Sequence, residues 1–284
     1  MIKELSNFRK KLLDGNVSNV DWSHLKTTVS HNPEDLPTHL KLYLSDLKKI
    51  ELAGVSKDEI VIFDHGCGSG LSIIFLLACG YKNVFGVDPK THKYENLNYR
   101  LSKLDGVTVK PFLTYLSGNK IGLAPGTVNY IYSNQVMEHL SDNDLITYLT
   151  EEQRLKSNKS IIRHSFPTRN TFFETHTKTI LLHWLAPRLL FVRLFGAKKR
   201  VWLENNLFLR WDRCYEEAFE RYVGPFSQEN IGRIAAPSEH IEDGNAKSIL
   251  RACFLKLMEM PALTPLMRLI YRNLATKEFV HRSF

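Results

Sequence analysis

The chain has 284 residues, 43 % of them hydrophobic and 24 % charged, with a formal net charge of +8. That balance excludes a disordered or low-complexity chain and allows a full core. With no run of about 18 uncharged apolar residues, a membrane-spanning helix is not expected either. Cys67, Cys79, Cys214 and Cys253 lie far apart without a C-x-x-C pair, so neither a zinc site nor a disulfide framework is suggested and a reducing cytoplasm fits. The start, Met1-Ile2-Lys3-Glu4-Leu5, lacks the basic-then-apolar form of a secretory signal.

Residues 1–15 read as an amphipathic helix with Leu5, Phe8, Leu12 and Leu13 on one side, and a polar stretch follows through Asn32. Pro33 to Pro37 open a second helix running to about Leu52, with Leu40, Tyr43, Leu44 and Leu47 at helical spacing and Gly54 at its end. The apolar run Ile60–Phe63 then suits a buried parallel strand. It leads into Asp64-His65-Gly66-Cys67-Gly68-Ser69-Gly70, and Leu71–Cys79 reads as the helix behind that loop. A second strand, Asn83–Val87, ends at Asp88-Pro89.

This loop has a specific physical use. Glycine tolerates positive φ and lets backbone approach a ligand closely. The free N–H groups at the start of the next helix favour an anionic group. An acid ending the second strand, about twenty residues on, is placed to accept hydrogen bonds from ribose hydroxyls. A dinucleotide loop would read G-x-G-x-x-G, whereas this one is G-x-G-x-G with Leu71 in place of the third glycine. A glycine turn that only packs strand on helix would explain Gly70 but neither strand-end acid.

Farther along, Thr91–Lys103 reads as a helix and Val107–Lys110 as a third strand, followed by Thr114-Tyr115. Val128–Tyr132 is a fourth strand, running into Ser133-Asn134-Gln135-Val136-Met137-Glu138-His139-Leu140. Ser141 caps a helix to about Leu155, and Ser160–Pro167 is a fifth strand.

The pattern D-x-G-x-G-x-G, then V-D-P, then the post-strand V-M-E-H-L resembles the class I S-adenosylmethionine-dependent methyltransferases over about residues 58–167. The resemblance implies an α/β fold, a doubly wound and mostly parallel sheet of Rossmann-like type, with S-adenosylmethionine as cofactor. It implies that Asp64 orients the amino-acid end of the cofactor, that Gly66, Cys67, Gly68 and Gly70 form its loop, and that Asp88 holds the ribose. Asn134 and Gln135 would flank the sulfonium. Where the family commonly places an acid near the adenine amino group this chain has Thr114, which leaves adenine to a hydroxyl, to backbone or to stacking. Helices before the first strand often cap the cofactor, so Tyr43 or His39 can face it, against core packing and a solvated turn. His139 is the best candidate base, against a packing or capping role, and Glu138 is read into a structural hydrogen bond. His176 and His183, seven apart, meet on a helix face if the helix is continuous, and His176 is taken as a second catalytic candidate. His164 either reaches the site or is a satisfied strand-end group. Without clustered carboxylates after strands four and five, no metal is expected.

The remainder departs from the family. Residues 186–213 and 246–284 each carry seven Lys/Arg against two acids, so the rest of the chain is close to neutral. The first of these segments interleaves Arg188, Arg193, Lys198, Lys199, Arg200, Arg210 and Arg213 with Leu, Phe and Val, and 179–212 is expected to be helical. Such a pattern suits a solvated face, phosphates of an acceptor, or an interfacial helix on an anionic membrane. The pattern H-T-x(5)-H-W-L-x-P from His176 to Pro187 is faintly similar to methyltransferases of cell-surface glycan assembly. Phe226–Ile231 is expected to start a helix capped by Ser227, and Glu278–His281 is a candidate late strand. The organisation expected is a helical cap (1–55), a cofactor-binding core (56–168), and a basic helical insertion with the end of the fold (169–284). The activity expected is methyl transfer to a hydroxyl or amine of a small-molecule or glycan-type acceptor in the cytoplasm, with a lipid-linked acceptor and peripheral contact at the membrane inner face included. An RNA methyltransferase is the first competitor, although Ser133-Asn134-Gln135-Val136 is not the N-P-P-[YFW] motif of base methylation. A non-catalytic membrane-associated protein is the second.

Overall fold

Three short, largely apolar strands and the buried half of a longer fourth have no face to show to water, so they must be covered on both sides. Val61–His65 (β1), Asn83–Val87 (β2), Val128–Asn134 (β3) and Lys156–Phe166 (β4) run parallel in the order β2-β1-β3-β4. The computed structural model describes residues 1–31, 36–89, 95–108, 121–171, 173–174, 176–177, 179–180, 188–229 and 276–284. In these, Phe173–Glu174 (β5) and Thr179–Ile180 (β6) pair apart from the main sheet. Ser227–Gln228 (β7) and Lys277–Arg282 (β8) complete that sheet, β8 antiparallel to β4 and β7 antiparallel to β8. The helices are Ile2–Asp14 (α1), Asn19–His31 (α2), Thr38–Leu52 (α3), Leu71–Ala78 (α4), Glu95–Leu101 (α5), Asp142–Leu155 (α6), Arg188–Arg193 (α7), Ala197–Asn206 (α8) and Asp212–Tyr222 (α9).

The period of two along each strand sends alternate residues to opposite layers. Ile62, Val84, Tyr130, Tyr132, Ile161 and Val280 face α1 to α4. Phe63, Phe85, Ile131, Ile162, Phe166 and Phe279 face α6 and α9, where Tyr148, Tyr215 and Phe219 meet them. The doubly wound sheet expected from the sequence is therefore the one observed. Tyr43 belongs to the first layer, its ring 4.3 Å from that of Tyr132, which fits core packing.

A buried cation ties the layers together. Arg163 on β4 bonds Asp46 of α3 through Nε at 2.5 Å and Nη2 at 3.2 Å, Glu278 of β8 at 3.1 Å, and Glu229 after β7 at 2.9 Å. A guanidinium with 2 % of its side chain exposed costs several kcal/mol in desolvation, roughly, unless such partners surround it.

Four expectations need correction. The polar stretch before Asn32 contains α2, because Trp22, Leu25 and Val29 lie on one face and are buried; their spacing is diluted by Ser, Lys and Thr. Ser227 caps no helix: residues 227–228 are a strand, recruited by β8. Phe173–Glu174 and Thr179–Ile180 pair as antiparallel strands rather than forming helix, so the helical pairing of His176 with His183 does not arise; His183 lies outside the described residues. Val107 and Thr108 are not in a strand, and the rest of that expected strand, with Thr114, also lies outside them. The candidate late strand is present and longer than expected, as β8.

Candidate functional site

The carboxyl ends of β1, β2 and β3 meet at one edge of the sheet, where open α/β folds bind ligands. Gly66, Gly68 and Gly70 take φ of 113°, 51° and 76°, values that L side chains adopt only with strain. The loop is pinned from below, with the N–H groups of Gly66 and Cys67 both donating to the Val87 carbonyl at 2.9 Å. A Cβ on Gly66 would come within 2.4 Å of Val136 Cγ2, whereas one on Gly68 would meet nothing within 4 Å. Gly66 is thus closed against the segment after β3, and Gly68 faces open space.

Asp88 reaches back over this loop, its Oδ2 accepting the Gly68 N–H at 3.2 Å. Asp64 is buried at the end of β1. Burial pushes its carboxyl up to about 7, against the neighbouring Tyr132 hydroxyl, which favours the ionised form, and with added repulsion from Asp88. Cys67 turns inward: a Cβ on Gly86 would lie 2.7 Å from Cys67 Cβ, and burial raises the thiol far above its ordinary range. Its backbone belongs to the loop while its side chain wedges β2 against α4.

Asn134 ends β3 with Oδ1 buried and unpartnered among the described residues. Gln135 takes φ of 60°, alone among described non-glycine residues in having positive φ, and its N–H donates to the Ser165 carbonyl at 2.8 Å. This turn swings the chain into the one-turn 3-10 helix Met137–His139.

There the fold joins residues distant in sequence. The His139 and His176 rings stand edge to face, 4.9 Å apart, and Trp202 of α8 stacks on His176 with centroids 5.8 Å apart. His139 Nδ1 bonds the Asn206 carbonyl at the end of α8. A carbonyl only accepts, so Nδ1 carries a proton, and in the neutral ring Nε2 presents a lone pair. Glu138 is fully buried with Oε1 4.0 Å from that Nε2. The ligand atoms of Glu138, His139 and His176 all lie within 4.8 Å of one another. Phe208, whose N–H donates to the Glu138 carbonyl at 2.7 Å, holds the post-α8 segment against this turn.

His164 does not reach this edge. It is buried between Ser133 Oγ at 2.7 Å and Glu152 at 2.9 Å, a satisfied group. His39 lies edge-on to Tyr43 at 5.8 Å. Sequence reasoning placed Val136 in the post-strand pattern but missed that its side chain closes Gly66, and it missed the Asn206 carbonyl, which orients His139 and carries no motif. It also missed Glu152, although that acid shares the buried face of α6 with Leu145, Tyr148 and Leu149.

Comparison with known proteins places a family model described as a methyltransferase domain on residues 62–157, about a third of the chain. Solved structures similar to this chain include one from the Haloferax volcanii complex between the Trm112 methyltransferase activator and a methyltransferase, at 16 % identity over 91 % of this chain and 97 % of that one, with a TM-score of 0.46. Another is Haemonchus contortus phosphoethanolamine N-methyltransferase 2 with S-adenosyl-L-methionine, at 14 % identity over 97 % of this chain and 59 % of that one, with a TM-score of 0.47. A third is geranyl diphosphate methyltransferase with the same cofactor, at 12 % identity over 83 % and 82 %, with a TM-score of 0.49.

Proposed function

We propose that this chain, a class I S-adenosylmethionine-dependent methyltransferase by its residues 62–157, methylates a hydroxyl or amine on a small-molecule or glycan-type acceptor. The observation that carries the reading is the relation of Asp88 to Gly68: an acid folded over a glycine loop whose outer side is open.

The residues present fit the cofactor. Asp88 would hold the ribose hydroxyls, the open Gly68 edge would admit the cofactor's backbone, and Asp64 would meet its ammonium. The orphaned Asn134 Oδ1 would face its positive end, with Gln135 beside it. When bound, S-adenosylmethionine supplies a methyl group already activated on a sulfonium. The protein therefore has mainly to align a nucleophile and keep water out. His139 stands on the acceptor side in this reading, since Val136 links its turn to the cofactor loop, and His176 packs against its ring. In the metal-free protein the Nε2 lone pair of His139 can take a proton from an acceptor hydroxyl, a contribution of roughly 10²–10⁴-fold in rate. A neutral amine needs less.

A lipid-linked acceptor at an anionic membrane surface, at the cytoplasmic face, is favoured by α7 and α8. Leu190, Leu194, Val201 and Trp202 are exposed there beside exposed Arg193, Lys198, Lys199 and Arg200. Among the described residues no helix is long and apolar enough to cross a membrane.

Calorimetry with S-adenosylmethionine and with NAD tests the cofactor, and a methyl-release screen against nucleotide sugars, amines and RNA tests the acceptor. Binding of the first cofactor alone, with turnover on a hydroxyl or amine acceptor, is expected. Heat from NAD only would remove the reading, and turnover confined to RNA would replace the acceptor class.

A further inference from the structure

We infer that Glu138, His139 and His176 bind a divalent transition-metal ion of the zinc type. The inference rests on the acceptor-side placement of this cluster and extends it. Two imidazoles and one carboxylate are a donor set that zinc accepts at about 2.0–2.2 Å per bond, with a fourth position open for water or substrate. Those bond lengths place ligand atoms about 3–3.5 Å apart around a tetrahedral ion. Here all three lie within 4.8 Å of one another, so a closure of about 1 Å completes the site. The partly exposed His176, in the turn between β5 and β6, is the member of the set that would move to supply that closure.

Three further features favour an ion. His139 is already in the tautomer a ligand needs, because the Asn206 carbonyl accepts its Nδ1–H; carbonyls commonly play this part behind metal-bound histidines. Glu138 is fully buried beside the imidazole, and a buried carboxylate is stabilised by a cation more than by water it cannot reach. The ring of Trp202 stacked on His176 covers one side of that imidazole. With an ion in place, an acceptor hydroxyl or a water molecule fills the open position. Coordination lowers the pKa of that oxygen, and its proton passes to solvent rather than to His139.

The test uses the untagged full chain, stripped with a chelator and dialysed, then titrated with Co²⁺ and with Zn²⁺. One ion per chain, visible absorption typical of a low-coordinate Co²⁺ site, and its loss on adding Zn²⁺ are expected. His176→Ala and Glu138→Gln should each weaken Co²⁺ binding by at least about tenfold. Substoichiometric uptake by the wild type overturns the inference, as does unchanged affinity in both variants. Circular dichroism and calorimetry with S-adenosylmethionine, run on the same samples, establish that the variants are folded. Because metal uptake and cofactor heat are read separately, loss of one leaves the other intact and shows which of the two readings has failed.

Discussion

Oε1 of Glu152 on α6 lies 2.8 Å from Nδ1 of His65 at the end of β1, and its Oε2 lies 2.9 Å from Nε2 of His164 on β4. One carboxylate thus bridges two parallel strands beneath the cofactor loop. Burial opposes ionisation of Glu152, but the two imidazoles outweigh it and hold the carboxyl below its ordinary range. Burial also lowers the basicity of His65, against the pull of Glu152. The Tyr148 ring stacks on His65 at 3.5 Å, and its hydroxyl donates to the His65 carbonyl at 2.8 Å.

Replacing Glu152 by Gln keeps the volume and removes the charge both imidazoles meet. A loss of about 1.5–3 kcal/mol is expected, the range for hydrogen bonds to a charged group. Urea unfolding at pH 7.5 measures it; a midpoint equal to wild type would show that the bridge carries no stability.

The loop glycines should separate fold from binding. Gly66→Ala meets both a φ of 113° and the side chain of Val136, so the left-handed penalty of about 1–2 kcal/mol and a clash add together. A fall in Tm of at least about 4 °C is expected for a chain of this size. Gly68→Ala meets no neighbour, so its Tm should stay within about 4 °C while affinity for S-adenosylmethionine drops. Thermal melts and calorimetry on both variants check this; equal effects of the two on Tm would contradict the assignment of an open side at Gly68.

Asp88→Ala removes the acceptor for the ribose hydroxyls and for the Gly68 N–H. Each hydrogen bond to a charged acceptor is worth about 1.5–3 kcal/mol, so cofactor affinity should fall about 10–100-fold with little change in Tm. Unaltered affinity would sink the assignment of the second-strand acid.

Asp64 sets a pH dependence. Its carboxyl titrates at about 7 in the cofactor-free fold and near 3.9 when unfolded, so between those values the folded state holds the extra proton. Its contribution to stability is full below about pH 4 and is lost as pH rises through about 7. Asp64→Asn should therefore raise the Tm of the cofactor-free protein at pH 8 and leave it unchanged at pH 4. The difference corresponds to at most about 4 kcal/mol. Cofactor binding calls for the ionised form, so at pH 6.5 it should release protons. Calorimetry in two buffers of different ionisation enthalpy reads that release, and identical heats would contradict it.

Much of the core was legible because its strands are short, apolar and followed at once by acids or other polar residues. Ile60–Phe63, Asn83–Val87 and Val128–Tyr132 needed no partner to be recognised, and the loop spacing separated one cofactor class from another. Three features escaped for local reasons. In α2 the apolar positions Trp22, Leu25 and Val29 are outnumbered by polar residues. Ser227 is a cap residue by type, yet its strand exists only because β8 arrives from fifty residues away. His176 and His183 have helical spacing, but β5 and β6 pair with each other instead.

The order of residues alone determined the glycine loop, the two strand-end acids and the alternation that covers both faces of the sheet, because turn chemistry and side-chain period act within a few neighbours. Only the tertiary structure decided that Val136 closes Gly66, that Arg163 sits among Asp46, Glu229 and Glu278, and that His139 meets His176 and Glu138 under the Asn206 carbonyl. Those contacts join segments whose separation along the chain carries no periodic signal; they exist because buried charge and imidazole must find partners once packing has brought the segments together.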